Sequence, residues 1–149
     1  MKAERAFAAA VLLAVACLVT PSGAQEAPAE SYRLTVRIVG LESNEGAVAL
    51  ALFDTKESFK SRTDPVDKGF VPIEDGSSLW VVSGLSPGQY AVAAYHDINA
   101  NQKLDKRPHG PPKEPYGFSN NARATFGPPG YSKAMFEIDG DLTIEIDVH

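Results

Sequence analysis

Alternation of apolar and polar residues is the main pattern along most of the chain. In several segments every second side chain is apolar, which is typical of a strand that buries one face and leaves the other in water. These segments predict strands at Tyr32 to Ile38, Ala47 to Phe53 and Leu142 to Val148. Shorter strand-like segments occur at Val71 to Ile73 and Leu79 to Val82, and Tyr90 to Tyr95, which is apolar on both faces, predicts a central strand.

Turn-forming residues separate the predicted strands. The segment Gly40 to Gly46 contains Asn, Ser and Glu, so we expect the strands on either side of it to pair as a hairpin. Asp64 to Gly69 predicts a loop. Pro87 and Gly88 are the expected central pair of a type II turn, with a positive φ at Gly88.

One short segment predicts a helical turn, from Thr55 to Lys60. Thr55 is a suitable N-cap, because its hydroxyl can accept a hydrogen bond from a free backbone N–H of the first turn. Ser58 or Phe59 is then expected to pack back onto the protein.

The short strands and the absence of a sustained helical period predict an all-β fold. We expect an antiparallel β-sandwich of about seven strands, prealbumin-like or immunoglobulin-like. Asp97 to Lys133 is the exception, because it shows little regular pattern. Loops longer than about 15 residues in a compact domain are usually functional or disordered, and its aromatic and charged residues favour one long ordered loop.

The N-terminus has the composition of a secretory signal. Lys2 and Arg5 precede an apolar run from Phe7 to Val19, and small residues lead to Ala24. This predicts a signal peptide with a short helix over 1–24, a linker over 25–30 and a sandwich domain over 31–149. A membrane anchor is the alternative, but the run is shorter than the about 20 apolar residues that a bilayer core requires. Lipoprotein processing at Cys17 is a second alternative.

The net charge and the cysteine content restrict the kinds of partner and chemistry that we expect. The chain has 14 Lys and Arg against 19 Asp and Glu. Cleavage after Ala24 removes two basic residues and one acidic residue, which leaves 12 Lys and Arg against 18 Asp and Glu and a net charge of −6. Nucleic acid and anionic membranes are poor partners for such a surface. Cleavage also removes Cys17, the only cysteine, and with it disulfide and thiol chemistry. We expect an exported protein, periplasmic or extracellular, with no membrane span in the mature chain.

The long loop begins with an acidic, asparagine-rich segment that predicts a Ca²⁺ site. Side-chain oxygens at alternate positions of a curling backbone, with one main-chain carbonyl, can surround a cation at about 2.4 Å. In the register of an EF-hand loop, positions 1, 3, 5, 7 and 9 are Asp97, Asn99, Asn101, Lys103 (through its carbonyl) and Asp105.

Two residues depart from that register. Gln102 stands where a glycine eases the sharp turn, and Pro108 stands where a glutamate binds the ion through both oxygens. A complete site would need a carboxylate from elsewhere, and the candidates are Glu114, Asp139 and Asp141. The alternative is a metal-free Asx-rich turn in which the same side chains accept backbone N–H groups.

The second part of the long loop carries candidate ligand-binding residues. Tyr116, Phe118 and Phe126 are predicted either to anchor the loop or to line a groove. Asn120, Asn121 and Arg123 suit a carboxylate or a sugar hydroxyl, or they bond the carbonyls of the loop itself.

No catalytic residues are predicted. The chain contains His96, His109 and His149, but no Gly-x-Ser-x-Gly, His-Glu-x-x-His or phosphate-binding glycine loop. His96 is retained as a candidate ligand-binding residue beside the acidic loop. An alternative is a hydrolase that uses His96, Arg123 and a second histidine.

Four blocks of sequence carry a family resemblance. They are Gly46 to Asp54, Leu85 to Val92, His96 to Asp105 and Pro115 to Arg123. With these blocks the chain resembles a bacterial exported family, domain of unknown function 2141, from about Leu34 to Val148. That family usually carries glycine at the position of Gln102. The resemblance implies no specific activity. Leu-x-Pro-Gly-x-Tyr before a strand is also similar to prealbumin-like and carboxypeptidase-regulatory-like sandwich modules.

The sequence therefore predicts an exported, non-catalytic binding or structural module, with Ca²⁺ in the 97–105 loop. Its partner would be a small molecule, a glycan or an envelope protein. The alternative is a small transthyretin-related hydrolase, although the end of the chain, Glu145 to His149, lacks the Tyr-Arg-Gly-Ser ending that such hydrolases share.

Overall fold

A computed structural model describes residues 29–149 of the protein. The predicted signal peptide 1–24, its signal helix, Cys17 and residues 25–28 of the predicted linker lie outside these residues. In chain order the elements are β1 Tyr32–Val39, β2 Ala47–Phe53, α1 Lys56–Ser61, β3 Asp67–Val71, β4 Ser78–Leu85, β5 Gly88–Asp97, β6 Tyr116–Phe118, a 3₁₀ turn Ser119–Asn121, α2 Tyr131–Ala134, β7 Phe136–Ile138 and β8 Leu142–Asp147.

The strands form two sheets packed as an all-β sandwich. One sheet has three strands in the order β4-β1-β8, and the other has the order β3-β2-β5-β6, with β7 pairing to the start of β5. Within residues 29–149, no helix has both the length and the apolar character needed to cross a membrane.

The main core lies between the two sheets and follows the predicted alternation. In β1, β2 and β5, every second residue points inward. Burying apolar side chains at about 25 cal/mol per Å² is the main stabilising contribution to such a fold. The inward residues of these three strands are Leu34, Val36, Ile38, Val48, Leu50, Leu52, Tyr90, Val92 and Ala94.

The predicted hairpin of the first two strands is wrong. β1 pairs with β4 and β8, whereas β2 pairs with β3 and β5 in the other sheet. The segment Gly40 to Gly46 therefore crosses between the sheets. Alternation shows which face of a strand is buried, but it does not show which strand lies alongside.

The predicted type II turn is also wrong. Gly88 has φ 159°, far from the about +80° that this turn requires at its third residue. β4 and β5 belong to different sheets, so Ser86 and Pro87 carry the chain from one layer to the other and do not join paired strands. The predicted loop at Asp64 to Gly69 is wrong in part, because β3 begins at Asp67.

The expectation of a purely antiparallel sandwich needs correction. β1 and β8 are parallel, with Leu34 opposite Leu142 and Ile38 opposite Ile146. This pairing places the last strand at the edge of the three-stranded sheet, beside β6 of the other sheet. The predicted helical turn is confirmed: the Thr55 hydroxyl oxygen accepts from the Ser58 N–H at 3.2 Å, and Phe59 is buried.

At one corner of the sandwich, β6 of one sheet lies beside the end of β8 of the other and is hydrogen-bonded to the chain just beyond it. Tyr116 and His149 exchange two backbone hydrogen bonds of 3.3 Å each. Gly117 lies at this contact, and a Cβ built on it would be 2.7 Å from the Asp147 carbonyl oxygen. Only glycine allows so close an approach of two backbones.

We expect Gly117→Ala to destabilise the fold by about 1–3 kcal/mol, because the added methyl group forces the two backbones apart. Urea unfolding would measure the loss. Gly140→Ala is the control, since a Cβ there meets nothing within 4 Å and should change stability by less than about 0.5 kcal/mol. Equal effects of the two substitutions would show that the corner contact is unimportant.

Candidate functional site

The outer face of the five-stranded sheet, the face turned away from the other sheet, carries two rows of side chains. Strand register places Phe70, Ala49, Tyr95 and Tyr116 in one row, and Lys68, Ala51, Ala93 and Phe118 in the next. The middle of each row contains alanine, so the centre of this face is a shallow depression with larger residues around it.

Part of this outer face is covered by the helices. Phe59 of α1 packs edge-on against Phe53, Phe118 and Tyr131, with ring centroids 5.7, 5.9 and 5.7 Å apart. With Ala91 and Ala134, these aromatic residues form a second hydrophobic core. This second core fixes α1 and α2 on the sheet.

The uncovered part of the face is a groove of about 650 Å³. The alanine rows form its floor, and Tyr95, Tyr116 and Phe118 contribute aromatic walls. Gln102, Leu104 and Lys106 line it from the long loop. Its volume lies within the about 300–1,000 Å³ of small-molecule sites.

The acidic segment 97–105 forms that loop wall, and Asp97 organises it. Its Oδ1 accepts from the Asn101 N–H at 3.1 Å, and its Oδ2 accepts from the Gln102 N–H at 2.6 Å. Asp97 is 0% exposed. Gln102 has φ 60°. The backbone therefore takes the left-handed conformation that favours glycine at position 6 of the register, although the residue here is glutamine.

The other predicted metal ligands continue this pattern. Asn99 Oδ1 accepts from the Asn101 N–H at 3.1 Å, and Asn101 Oδ1 accepts from the Lys103 N–H at 2.8 Å. Asp105 accepts from the side-chain amides of Asn99 and Asn101, at 2.9 and 3.3 Å. The fold thus brings Asp97, Asn99, Asn101 and Asp105 together in one compact turn.

Glu114 closes the loop from its far end. Its two oxygens accept from the Ile98 N–H at 3.1 Å and the Asp105 N–H at 2.9 Å, and the residue is only 5% exposed. Among the three suggested outside carboxylates, Glu114 is therefore the one that contacts the loop. Asp139 and Asp141 were wrong: both lie near Tyr32, and Asp141 accepts from the Arg33 N–H at 2.8 Å.

The predicted metal ligands combine carboxylate, amide and backbone carbonyl oxygens. Within residues 29–149, no three His, Cys, Asp or Glu side chains form a group able to hold a metal. The predicted set has only two carboxylates, Asp97 and Asp105, and its other oxygens belong to amides and a backbone carbonyl. Hard oxygen donors of these kinds are the ones Ca²⁺ takes, so their chemistry fits this ion better than zinc.

Tyr95 connects the acidic loop with the groove. Burial raises the pKa of its hydroxyl, and the charges of Asp97, Glu114 and Asp105 add to the shift. The phenol is therefore protonated at neutral pH and can donate a hydrogen bond in the groove.

A smaller cavity of about 250 Å³ lies at the corner where the sheets meet. It brings together Tyr116, Phe118, Asn121 and Arg123 of the predicted ligand-binding set. Arg123 lies 3.3 Å from His149 Nδ1. Tyr116 and Phe118 border both this cavity and the groove.

The remaining candidates lie elsewhere. His96 is fully buried and its Nε2 lies 2.8 Å from the Glu45 carbonyl, so it is a core residue that lines neither cavity. Asn120 donates to the Lys133 and Met135 carbonyls at 3.3 and 2.7 Å, which is the internal bonding given as its alternative. Phe126 is 92% exposed and anchors nothing.

Sequence reasoning missed most of the groove. Its floor was visible in one signal: the outward positions of β2 and β5 carry alanine at 49, 51 and 93 where a solvent-facing strand would carry polar residues. Arg62, Lys68 and Lys106 also line the groove. The sequence pattern gave no signal for them, because they come from separate segments.

We expect Glu114→Gln to loosen the 97–105 loop. Glutamine has one acceptor oxygen in place of two, so either the Ile98 or the Asp105 N–H loses its partner, at about 1–3 kcal/mol. Amide hydrogen exchange should quicken at these two positions. Glu137→Gln, at an exposed position of β7, is the control, and unchanged exchange in Glu114→Gln would contradict the role of Glu114 as a clamp.

Comparison with known proteins identifies one family. No curated protein and no solved structure matches the chain. A family model described as "Uncharacterized protein conserved in bacteria (DUF2141)" matches residues 36–145, which include both sheets, the acidic loop and the groove. The chain belongs to this family.

Proposed function

We propose that the protein is an exported, non-catalytic binding module that takes a small molecule in the groove on the five-stranded sheet. The groove carries this proposal. It combines an apolar floor, aromatic walls and a few polar groups, which is the usual composition of a small-molecule site. Export depends on the signal peptide predicted from residues 1–24.

The acidic loop is the part of this module that positions one wall. Gln102 and Leu104 reach the groove from a segment that Asp97 and Glu114 hold by hydrogen bonds. Each carboxylate or amide oxygen has two lone pairs, so an oxygen that accepts one N–H retains a lone pair for a cation. We therefore propose that Ca²⁺ binds Asp97, Asn99, Asn101, Asp105 and the Lys103 carbonyl and stiffens this wall.

The other hypotheses from the sequence have less support. A hydrolase that uses His96 and Arg123 would need both at one substrate, whereas His96 is buried in the core and Arg123 lies beside His149. A glycan or an envelope protein as partner has no specific contact surface to recommend it over the groove. A prealbumin-like relationship of the sandwich also remains a proposal.

We expect Ca²⁺ to raise the thermal midpoint of unfolding relative to the protein in excess EDTA. A ligand at one hundred times its Kd stabilises the folded state by about 2.7 kcal/mol. Differential scanning calorimetry with Ca²⁺ and with EDTA would measure the shift.

A matched pair of variants tests the assignment of that shift. Asp97→Asn should remove most of it, and Asp75→Asn, in an exposed turn outside the loop, should leave it intact. If Ca²⁺ leaves the midpoint of the native protein unchanged, the proposed Ca²⁺ site is wrong, and the proposal of a binding groove is unaffected.

The groove itself can be tested with a neutral apolar probe. We expect N-phenyl-1-naphthylamine to bind with increased fluorescence, and Ala51→Leu to weaken binding at least about tenfold, because the larger side chain fills the floor. Ala124→Leu, which lies beside the smaller cavity, is the control. Undiminished binding to Ala51→Leu would show that the probe sits elsewhere.

A further inference from the structure

Three cationic side chains line the groove without a carboxylate partner. They are Arg62, Lys68 and Lys106, and the lining residues include no Asp or Glu. Within the described range 29–149, the one ion pair closer than 4 Å joins Arg37 to Glu145, away from the groove. The chain as a whole has a net charge of −5, so this local excess of positive charge opposes the general charge of the protein.

Arg62 is the most firmly placed of the three. It is the C-cap of α1, and its guanidinium carbon lies 4.0 Å from the ring centroid of Phe59 and 5.0 Å from that of Phe118. One of its nitrogens donates to the Phe59 carbonyl. A guanidinium has five N–H donors in a planar fork, so most of them are left for a ligand.

The surroundings of Arg62 also favour an anion. Desolvation of the guanidinium lowers its pKa to about 10, so it stays cationic at neutral pH. A cation that is partly desolvated and has no counter-ion is less stable than one that is paired. An anionic group bound beside it would offset that loss, and a guanidinium binds carboxylates and related oxyanions through two parallel hydrogen bonds.

The charged residues make one side of the groove more positive than the other. Lys68 begins the cross-strand row that continues through Ala51 and Ala93 to Phe118, and Arg62 lies over Phe118 at the opposite end of that row. Beyond the other row β5 ends at Asp97, and Asp105 and Glu114 lie with it at the acidic loop. An anionic group is thus attracted to the Arg62 and Lys68 side and repelled from the Tyr95 side.

We propose that the groove binds a small amphipathic organic anion. Its apolar body lies on the Ala51 and Ala93 floor against Tyr95 and Tyr116, and its anionic group pairs with Arg62, with Lys68 and Lys106 adding positive charge to the same groove. This inference rests on the proposed binding function and names the class of ligand.

Two probes with one apolar body test the preference for charge. 8-Anilinonaphthalene-1-sulfonate and N-phenyl-1-naphthylamine share the anilinonaphthalene rings, and only the first carries an anionic group. We expect the sulfonate to bind about tenfold more tightly at low salt, because ion pairs at exposed sites each contribute a fraction of a kcal/mol. The difference should shrink as salt is raised.

Charge-removing variants locate the effect. Lys68→Gln and Lys106→Gln together should reduce the preference for the sulfonate to about two- to threefold, the share of the remaining Arg62, and should change the affinity for the neutral probe much less. Lys60→Gln, on α1 but outside the groove lining, should alter neither. Arg62→Lys keeps the charge and loses the fork, so it should weaken the sulfonate less than Arg62→Gln. Urea midpoints confirm that each variant is folded.

The outcomes separate the two proposals. Equal affinity for both probes, with binding still lost in Ala51→Leu, overturns the anionic ligand and leaves the binding groove. Binding of neither probe overturns both. If Lys60→Gln reduces sulfonate affinity as much as the groove variants do, the anion site is also overturned, because the effect would then come from the net charge of the protein alone.

A final competition distinguishes a free ligand from a lipid surface. We expect sodium decanoate below its micelle concentration to displace the sulfonate probe, because it has an apolar chain and a single carboxylate. Displacement only by phosphatidylglycerol vesicles, and not by decanoate, would overturn the assignment to a free small molecule.

Discussion

The candidate site depends on two buried carboxylates, Asp97 and Glu114. Each accepts two backbone N–H groups of the 97–105 segment, and within the described residues neither has a cationic side chain as partner. A buried charge is unfavourable unless hydrogen bonds or an opposite charge compensate it. The loop can hold its shape only if these N–H groups stay directed at the carboxylates, so the same contacts that solvate the charges define the wall of the groove.

The strand β5 links this loop to the rest of the molecule. Its inward residues fill the core between the sheets, and its outward residues Ala91, Ala93 and Tyr95 lie on the second face. That second face is divided: α1 and α2 cover one part with an aromatic cluster, and the remaining part is the groove. Arg62 stands at the boundary, stacked on the cluster. The groove is therefore a gap left between the helices and the acidic loop, and its size depends on where both are fixed.

A large share of the fold was predictable because it depends on local sequence. Alternation placed β1, β2 and β8 to within a few residues, a run that is apolar on both faces placed β5, and Thr55 marked the start of α1. The acidic loop was also predictable, since the hydrogen bonds among residues 97–105 join positions only two to six apart. The errors concern pairing: the hairpin, the type II turn and the parallel strand β8 all depend on which sheet each strand joins. Registers between distant strands are decided by the whole core.

The sequence by itself therefore determined the fold class, the faces of the strands and the composition of the acidic loop. Only the tertiary structure decided that Glu114, and neither Asp139 nor Asp141, closes that loop, and that His96 belongs to the core. The groove was likewise decided by tertiary structure, since its alanine floor, its aromatic walls and its three cations come from β2, β3, β5, β6, the residue after α1 and the long loop. The physical reason is range: alternation and the hydrogen bonds within a turn act between near neighbours in the chain, whereas a cavity and its charge arise from segments that packing brings together.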